Sequence, residues 1–233
     1  KTIYKLLLIA RKRKIDIIHL NNQLVLNFVG LFIAKYLNVP CVVHLRTFNS
    51  YGLNQYKVAY SKKINIHYIA VSEKIKRHWI ERGLDSDMIE VLHNVFQSNH
   101  DSKAENKDTS LIMEYDGYKL VFVGRLIECK GISFLIEGFK MVLNSGIKAK
   151  LYLVGSGEEE NRLKEIVCCQ ELEEEVVFLG YSDNPLAIIK MMDLLVLPSK
   201  EEGFGRVLLE AMDAGIAVIG TKVGGIPEII DNE

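Results

Sequence analysis

"LLVLPSKEEGFGRVLLEAMDAGIAVIGTKVGGIPEII" spans residues 194–230. A short apolar run (194–198) leads through a polar, glycine-bearing loop into a helical period near 205–214. A second apolar run (216–220) then meets another loop and a helix start near 227–231. Continuously apolar strands that alternate with helices predict a parallel sheet covered on both faces. Ligands of such sheets bind outside the carboxyl ends of the strands, so the residues after each strand are where chemistry is expected. Glu202 and Glu210 stand there with seven residues between them. A purely structural helix start would carry Ser, Thr, Asp or Asn as its cap. Gly203 and Gly205 instead allow bare backbone to come close to a ligand.

The same unit recurs outward from this stretch. In the second half, strands are expected at 120–124, 150–155 and 176–180, with helices near 131–144, 158–170 and 184–191. In the first half, the apolar runs are 16–20, 41–45, 66–71 and 89–93, with helices near 2–13, 24–37 and 73–82. Residues 97–118 lose this pattern and are mostly polar, as an exposed linker is. The expected architecture is α/β: two Rossmann-like, doubly wound parallel-sheet domains, 1–105 and 119–233, joined by a linker at 106–118.

Composition narrows the classes of function. The 233 residues are 48% hydrophobic and 25% charged, a globular balance. The net charge of -1 conceals a split: residues 1–105 hold 16 Lys and Arg against 8 Asp and Glu, and residues 106–233 hold 13 against 22. Such asymmetry favours two domains with different partners, the basic one suited to anionic surfaces. Cys41, Cys129, Cys168 and Cys169 show no metal-ligand spacing, and the adjacent pair makes a poor disulfide, which fits a reducing cytoplasm. No apolar run reaches the ~18 residues needed to cross a bilayer, and "LVLNFVGLFIAKYL" (24–37) reads as a buried helix. "KTIYKLLLIARKRK" (1–14) places its charges after its apolar core, the reverse of a signal peptide. No nucleic-acid-binding motif stands out among the basic residues.

Five junctions carry candidate chemistry. In "VGRLIECKG" (123–131), Gly124 ends a strand, and Arg125 and Lys130 flank a turn before a helix. Two cations at a helix N-terminus suit an anion, the alternative being exposed basic residues on a loop. In "VGSGEEE" (154–160), Gly155 and Gly157 open like a dinucleotide fingerprint, but three carboxylates at the helix start would repel a pyrophosphate and instead favour the helix dipole. In "LPSKEEGFGRVLLE" (197–210), Glu202 and Glu210 lie either side of the amides of Gly203, Phe204 and Gly205. A carboxylate accepts two sugar hydroxyls through its two oxygens, although each glutamate alone also suits a solvated helix. "GTKVGGIPEII" (220–230) has Thr221, the pair Gly224 and Gly225, and Pro227 at an expected first helical position. In the first half, His44 and His19, the latter followed by Asn21, stand at strand ends.

The order "GRLIECKG", "VGSGEE", "FLGY", "DLLVLPS", "EEGFGRVLLEAMDAG" and "VGGIPEII" resembles glycosyltransferase family 4, retaining enzymes of the GT-B fold. The likeness is strong over 119–233 and looser over the first half, through "DIIHLNN", "PCVVHLR" and "IAVSEKIKRHW". Glu202 and Glu210 match its E-x7-E element. The resemblance implies a nucleotide-sugar donor on the C-terminal domain and an acceptor on the N-terminal one. Arg125 and Lys130, beside Gly124 and Gly155, would hold the diphosphate and stabilise the leaving nucleotide without a metal or other cofactor. Glu202 would hold donor-sugar hydroxyls with the amides at Gly203, Phe204 and Gly205, and Glu210 the ribose, with Arg206 alongside. The base would rest near Gly180 and Tyr181, and His44 would lie near the donor sugar. His19, Asn21, Thr221, Gly224 and Gly225 are secondary candidates. Retention would follow front-face attack within an ion pair.

The family pattern also expects a first strand and glycine-rich loop before Lys1 and a returning helix after Glu233, so the chain reads as a fragment with an incomplete N-terminal domain. Other readings are a nucleotide-sugar epimerase or hydrolase of the same fold, and a non-catalytic nucleotide-sugar-binding protein. A metal-dependent transferase would use "DSD" (85–87), although Gly83 there reads as a helix C-cap and the aspartates lead into a strand. The expected acceptor is a glycan or lipid-linked glycan. The expected place is the cytoplasm, peripheral on the inner face of an anionic membrane, which the basic half would meet.

Overall fold

The computed structural model describes residues 2–21, 28–49, 55–96, 112 and 114–231. Two compact units divide the chain, Lys1–Asn94 and Val95–Glu233. The expected linker falls largely outside the described residues, and its last residue, Tyr118, already opens a strand.

In the first unit the elements are α1 (Thr2–Arg13), β1 (Ile18–Asn21), α2 (Phe28–Leu37), β2 (Cys41–Leu45), α3 (Gln55–Ser61), β3 (Ile66–Ala70), α4 (Glu73–Glu81) and β4 (Ile89–Val91). The four strands are parallel and lie in the order β1-β2-β3-β4. Cys41, Val43 and Leu45 are buried on one face beside Ile66, Tyr68 and Ala70, while Val42, His44, His67 and Ile69 of the other face are only partly covered or exposed. Burial on both faces, as the apolar runs predict, is thus complete on one side. The helix at 28–37 is likewise buried along a stripe and not all round: Leu31, Ile33 and Ala34 are buried, whereas Phe32 and Tyr36 are exposed. Among the described residues no helix is long and apolar enough to cross a membrane. Ser72 caps α4 by accepting from the Ile75 amide, and the helix buries Ile75 and Trp79, whose Nε1 donates to the Thr47 carbonyl at 3.2 Å.

The second unit carries β5 (Tyr118–Val123), α5 (Ile132–Asn144), β6 (Ala149–Val154), α6 (Glu160–Cys169), β7 (Val176–Gly180), α7 (Pro185–Ile189), β8 (Leu194–Leu197), α8 (Arg206–Asp213) and β9 (Ala217–Gly220). All five strands are parallel, in the order β7-β6-β5-β8-β9. Val121, Phe122, Leu151, Leu153, Leu195 and Leu197 form the middle of its core, packed by Ile136, Phe139, Leu163 and Leu208 from the helices. The chain leaves β5 towards β6 and β7, then returns to the other side of β5 for β8 and β9. That reversal creates a crevice at the carboxyl ends of β5 and β8. The helix expected at 227–231 is a single 3-10 turn, Ile226–Glu228, with Pro227 inside it, not at the first position of an α-helix. α3 has no counterpart among the expected elements.

Candidate active site

Backbone packing assembles the site before any side chain does. At the end of β5, the Gly124 amide donates to the Val154 carbonyl at 2.9 Å. Gly155 then crosses so close that a Cβ would stand 1.8 Å from the Gly124 carbonyl oxygen, at a φ of +137°. Only glycine permits that approach. These loops and the end of β7 enclose a cleft of about 550 Å³ lined by Gly124, Arg125, Gly155, Ser156, Tyr181 and Asp183 among others. Tyr181 is 74% exposed at its edge. Two carboxylates of "EEE" turn to their own helix, Glu159 pairing with Arg162 at 2.5 Å and Glu160 with Lys164 at 2.7 Å.

The switch point lies beside this cleft. The Lys200 amide donates to the Cys129 carbonyl at 2.8 Å, so the loop after β8 is bonded to the loop after β5. In consequence Lys130 and Glu202, 72 residues apart, meet: Nζ stands 2.6 Å from Oε2, with side chains only 18% and 14% exposed. The Ser199 hydroxyl donates to the same oxygen at 3.1 Å. The family resemblance implies phosphate for this lysine and sugar for this glutamate. The structure brings the two side chains into direct contact.

Phe204 is buried and anchors the turn into α8, flanked by Gly203 and Gly205. Arg206 opens the helix, and its Nη2 lies 3.5 Å from Oε1 of Glu210, one turn on. Glu210 is mostly buried. Burial lifts its carboxyl above the ordinary value of 4.5, and Arg206 draws it partly back.

The loop after β9 grips this carboxylate loop from behind. Thr221 Oγ1 donates to the Ser199 carbonyl at 2.5 Å, and the Gly225 amide to the Glu202 carbonyl at 3.2 Å. A Cβ on Gly224 would sit 1.6 Å from the Glu202 carbonyl oxygen. The structural work of the Gly224–Gly225 pair is therefore to let one loop lie on another.

In the first unit, Asn21 and His44 are register partners at the ends of β1 and β2. The His19 and His44 rings lie 5.7 Å apart, and Arg46 Nη2 is 3.5 Å from His44 Nδ1. Burial, then Arg46, then His19 hold the His44 imidazole below its ordinary value. Gly83, at φ +95°, follows α4 as expected of a C-cap glycine, and Asp85 Oδ1 accepts from the Asp87 amide at 3.2 Å in a 3-10 turn. Among the described residues no group of three or more His, Cys, Asp or Glu stands close enough to hold a metal ion. Sequence reasoning overlooks Ser199 and Arg46, whose only signals are their places just after a strand and two residues beyond His44.

The chain is similar in sequence and fold to known proteins. The model of the glycosyl transferases group 1 matches residues 103–233, and that of glycosyltransferase family 4 matches residues 1–97. N-acetyl-alpha-D-glucosaminyl L-malate synthase of Bacillus anthracis is 39% identical over 113 residues, 48% of this chain and 29% of that protein. The UDP-Gal:alpha-D-GlcNAc-diphosphoundecaprenol alpha-1,3-galactosyltransferase of Escherichia coli is 27% identical across 100% of this chain and 63% of its own length. The crystal structure of HepE of Anabaena in complex with UDP and glucose superposes with a TM-score of 0.83 at 23% identity, covering 99% of this chain and 65% of that one. The chain thus spans about two thirds of the proteins it matches from end to end. With a family model matching more than half of its residues, laid over two parallel sheets of the GT-B kind, the chain belongs to the glycosyl transferases of group 1.

Proposed function

We propose that the whole protein moves a sugar from a nucleoside-diphosphate donor to an acceptor hydroxyl with retention of anomeric configuration, in glycan or glycolipid synthesis. The observation that carries this reading is the pairing of Lys130 with Glu202 at the switch point, next to the cleft that holds Arg125. A diphosphate seated between Arg125 and Lys130 puts its leaving-group charge on two fixed cations, which meets that charge without a metal ion or other cofactor. The sugar then falls to Glu202, and the ribose to Glu210, whose buried carboxylate gains when hydroxyl groups donate to it. The base rests in the cleft by Gly180 and Tyr181. The Anabaena neighbour was crystallised with UDP and glucose, which supports a nucleotide sugar as donor.

For the acceptor, we infer a phosphate-bearing, lipid-linked glycan at the cytoplasmic face of a membrane. The Escherichia coli relative is named for a diphosphoundecaprenol-linked acceptor, and the first unit is the basic one. α1 exposes Ile3, Tyr4, Leu6, Leu8 and Ile9 and ends in Arg11, Lys12 and Arg13, the composition of a helix that rests on an anionic surface.

A panel of nucleotide sugars offered to the full-length protein, with product analysis, tests the reading. Transfer with the α-configured donor giving an α-linked product is expected. Inverted product overturns retention, loss of activity with a chelator overturns metal independence, and free sugar or an epimer as the sole product favours a hydrolase or epimerase.

A further inference from the structure

Among the described residues, three serines are fully buried: Ser61, Ser72 and Ser199. Ser61 donates to the Val58 carbonyl at 2.7 Å and Ser72 caps α4. Ser199 differs. It is 1% exposed, and its hydroxyl donates to a carboxylate, Oε2 of Glu202. Its own position is set from β9, because its carbonyl accepts from Thr221 Oγ1, while the Thr221 amide donates to the Leu197 carbonyl at 3.2 Å. Lys130 and Ser199 both meet the Glu202 carboxylate at Oε2.

We propose that Ser199 is a positioning residue for Glu202, holding one carboxylate oxygen in place so that the other faces the donor sugar when Lys130 is drawn to the diphosphate. This rests on the assignment of Glu202 to the sugar. A lysine ammonium has three donors on a flexible stem and moves readily to a stronger anion. A carboxylate left with that lysine as its sole anchor would swing with it. The buried hydroxyl, fastened to two strands, does not move, and a hydrogen bond to a charged acceptor is among the stronger kinds. Lys130 can therefore change partners while Glu202 keeps its orientation.

The experiment is a double-mutant cycle on the full-length protein, using the donor found active in the panel and the free nucleoside diphosphate of that donor. Ser199→Ala is expected to lower kcat about tenfold, the cost of one charge-assisted hydrogen bond, and to leave nucleoside diphosphate affinity within about twofold. Ser199→Cys, with a weaker donor of similar size, should fall between. In a Glu202→Gln background, Ser199→Ala should add almost nothing, because the carboxylate it orients is gone. Independent losses in the cycle, or equal falls in diphosphate affinity and kcat, would show a merely structural serine and overturn the proposal. Full transfer by Glu202→Gln alone would instead defeat the sugar assignment on which it rests.

Discussion

At Glu210 the environment works against the charge. Burial raises the carboxyl above its ordinary value of 4.5, so the folded protein holds this proton at pH values where the unfolded chain has released it. The stability contribution is thus greatest below that window and falls as pH rises through it. Glu210→Gln removes the charge and the penalty. The melting temperature of the variant, measured without ligand against the parent, should improve as pH rises above the ordinary carboxylate value, while nucleoside diphosphate affinity declines. A difference that stays constant with pH would show that burial of this carboxylate costs nothing. Lys130 poses the opposite case. Its removal takes a partner from a desolvated Glu202, so Lys130→Ala should weaken diphosphate binding about tenfold or more and also destabilise the protein by on the order of 1–3 kcal/mol. Lys130→Ala with Glu202→Gln should regain much of the melting temperature and none of the diphosphate affinity. Unchanged calorimetric titration with nucleoside diphosphate would remove the phosphate assignment.

Elements place these residues through loops that touch backbone to backbone, and that contact is itself open to test. Gly224→Ala drives a Cβ into the Glu202 carbonyl, a clash that only movement of the carboxylate loop relieves. Transfer should fall at least about tenfold and stability with it. Gly146, at φ +85° after α5 with open space around it, is the control. Gly146→Ala should cost only the ~1–2 kcal/mol of a left-handed alanine and leave kcat intact. Equal kcat in both variants would mean that the glycine pair positions nothing. All nine strands among the described residues are legible in the sequence, because strands buried in a parallel sheet read as unbroken apolar runs. α3, a seven-residue helix written "QYKVAYS", has too short a period to be read. The helix expected after Gly225 is over-read because Pro227 and Glu228 are the grammar of any helical start, including a single 3-10 turn. The types of residue in the site are legible from the loop that leaves each strand. The union of Lys130 with Glu202 is not, since it depends on β8 returning to lie beside β5, and spatial strand order is not written in local periodicity.

Across the whole molecule the dominant asymmetry is charge. The excess of cations in residues 1–105 includes Arg11 to Lys14 at the end of α1, next to apolar side chains in solvent. Each basic residue near an anionic leaflet contributes about 1 kcal/mol, within a screening length of ~8 Å at physiological salt. Full-length protein should therefore float with anionic but not neutral vesicles, and should lose binding at high salt or when Arg11, Lys12, Arg13 and Lys14 are neutralised. No flotation at low salt would point to a soluble acceptor. The strand order of the second unit bears on the way a donor would be held. The Arg125 and Tyr181 cleft is built from the ends of β5, β6 and β7, whereas Glu202 and Glu210 hang from β8 and α8 on the other side of β5. Among the described residues β9 lies last in the sheet order and leaves Ala217 and Ile219 exposed. If the donor is seated as proposed, one flank of this sheet grips its base and the other its sugar, so the two parts of one ligand depend on structurally separate sides of β5.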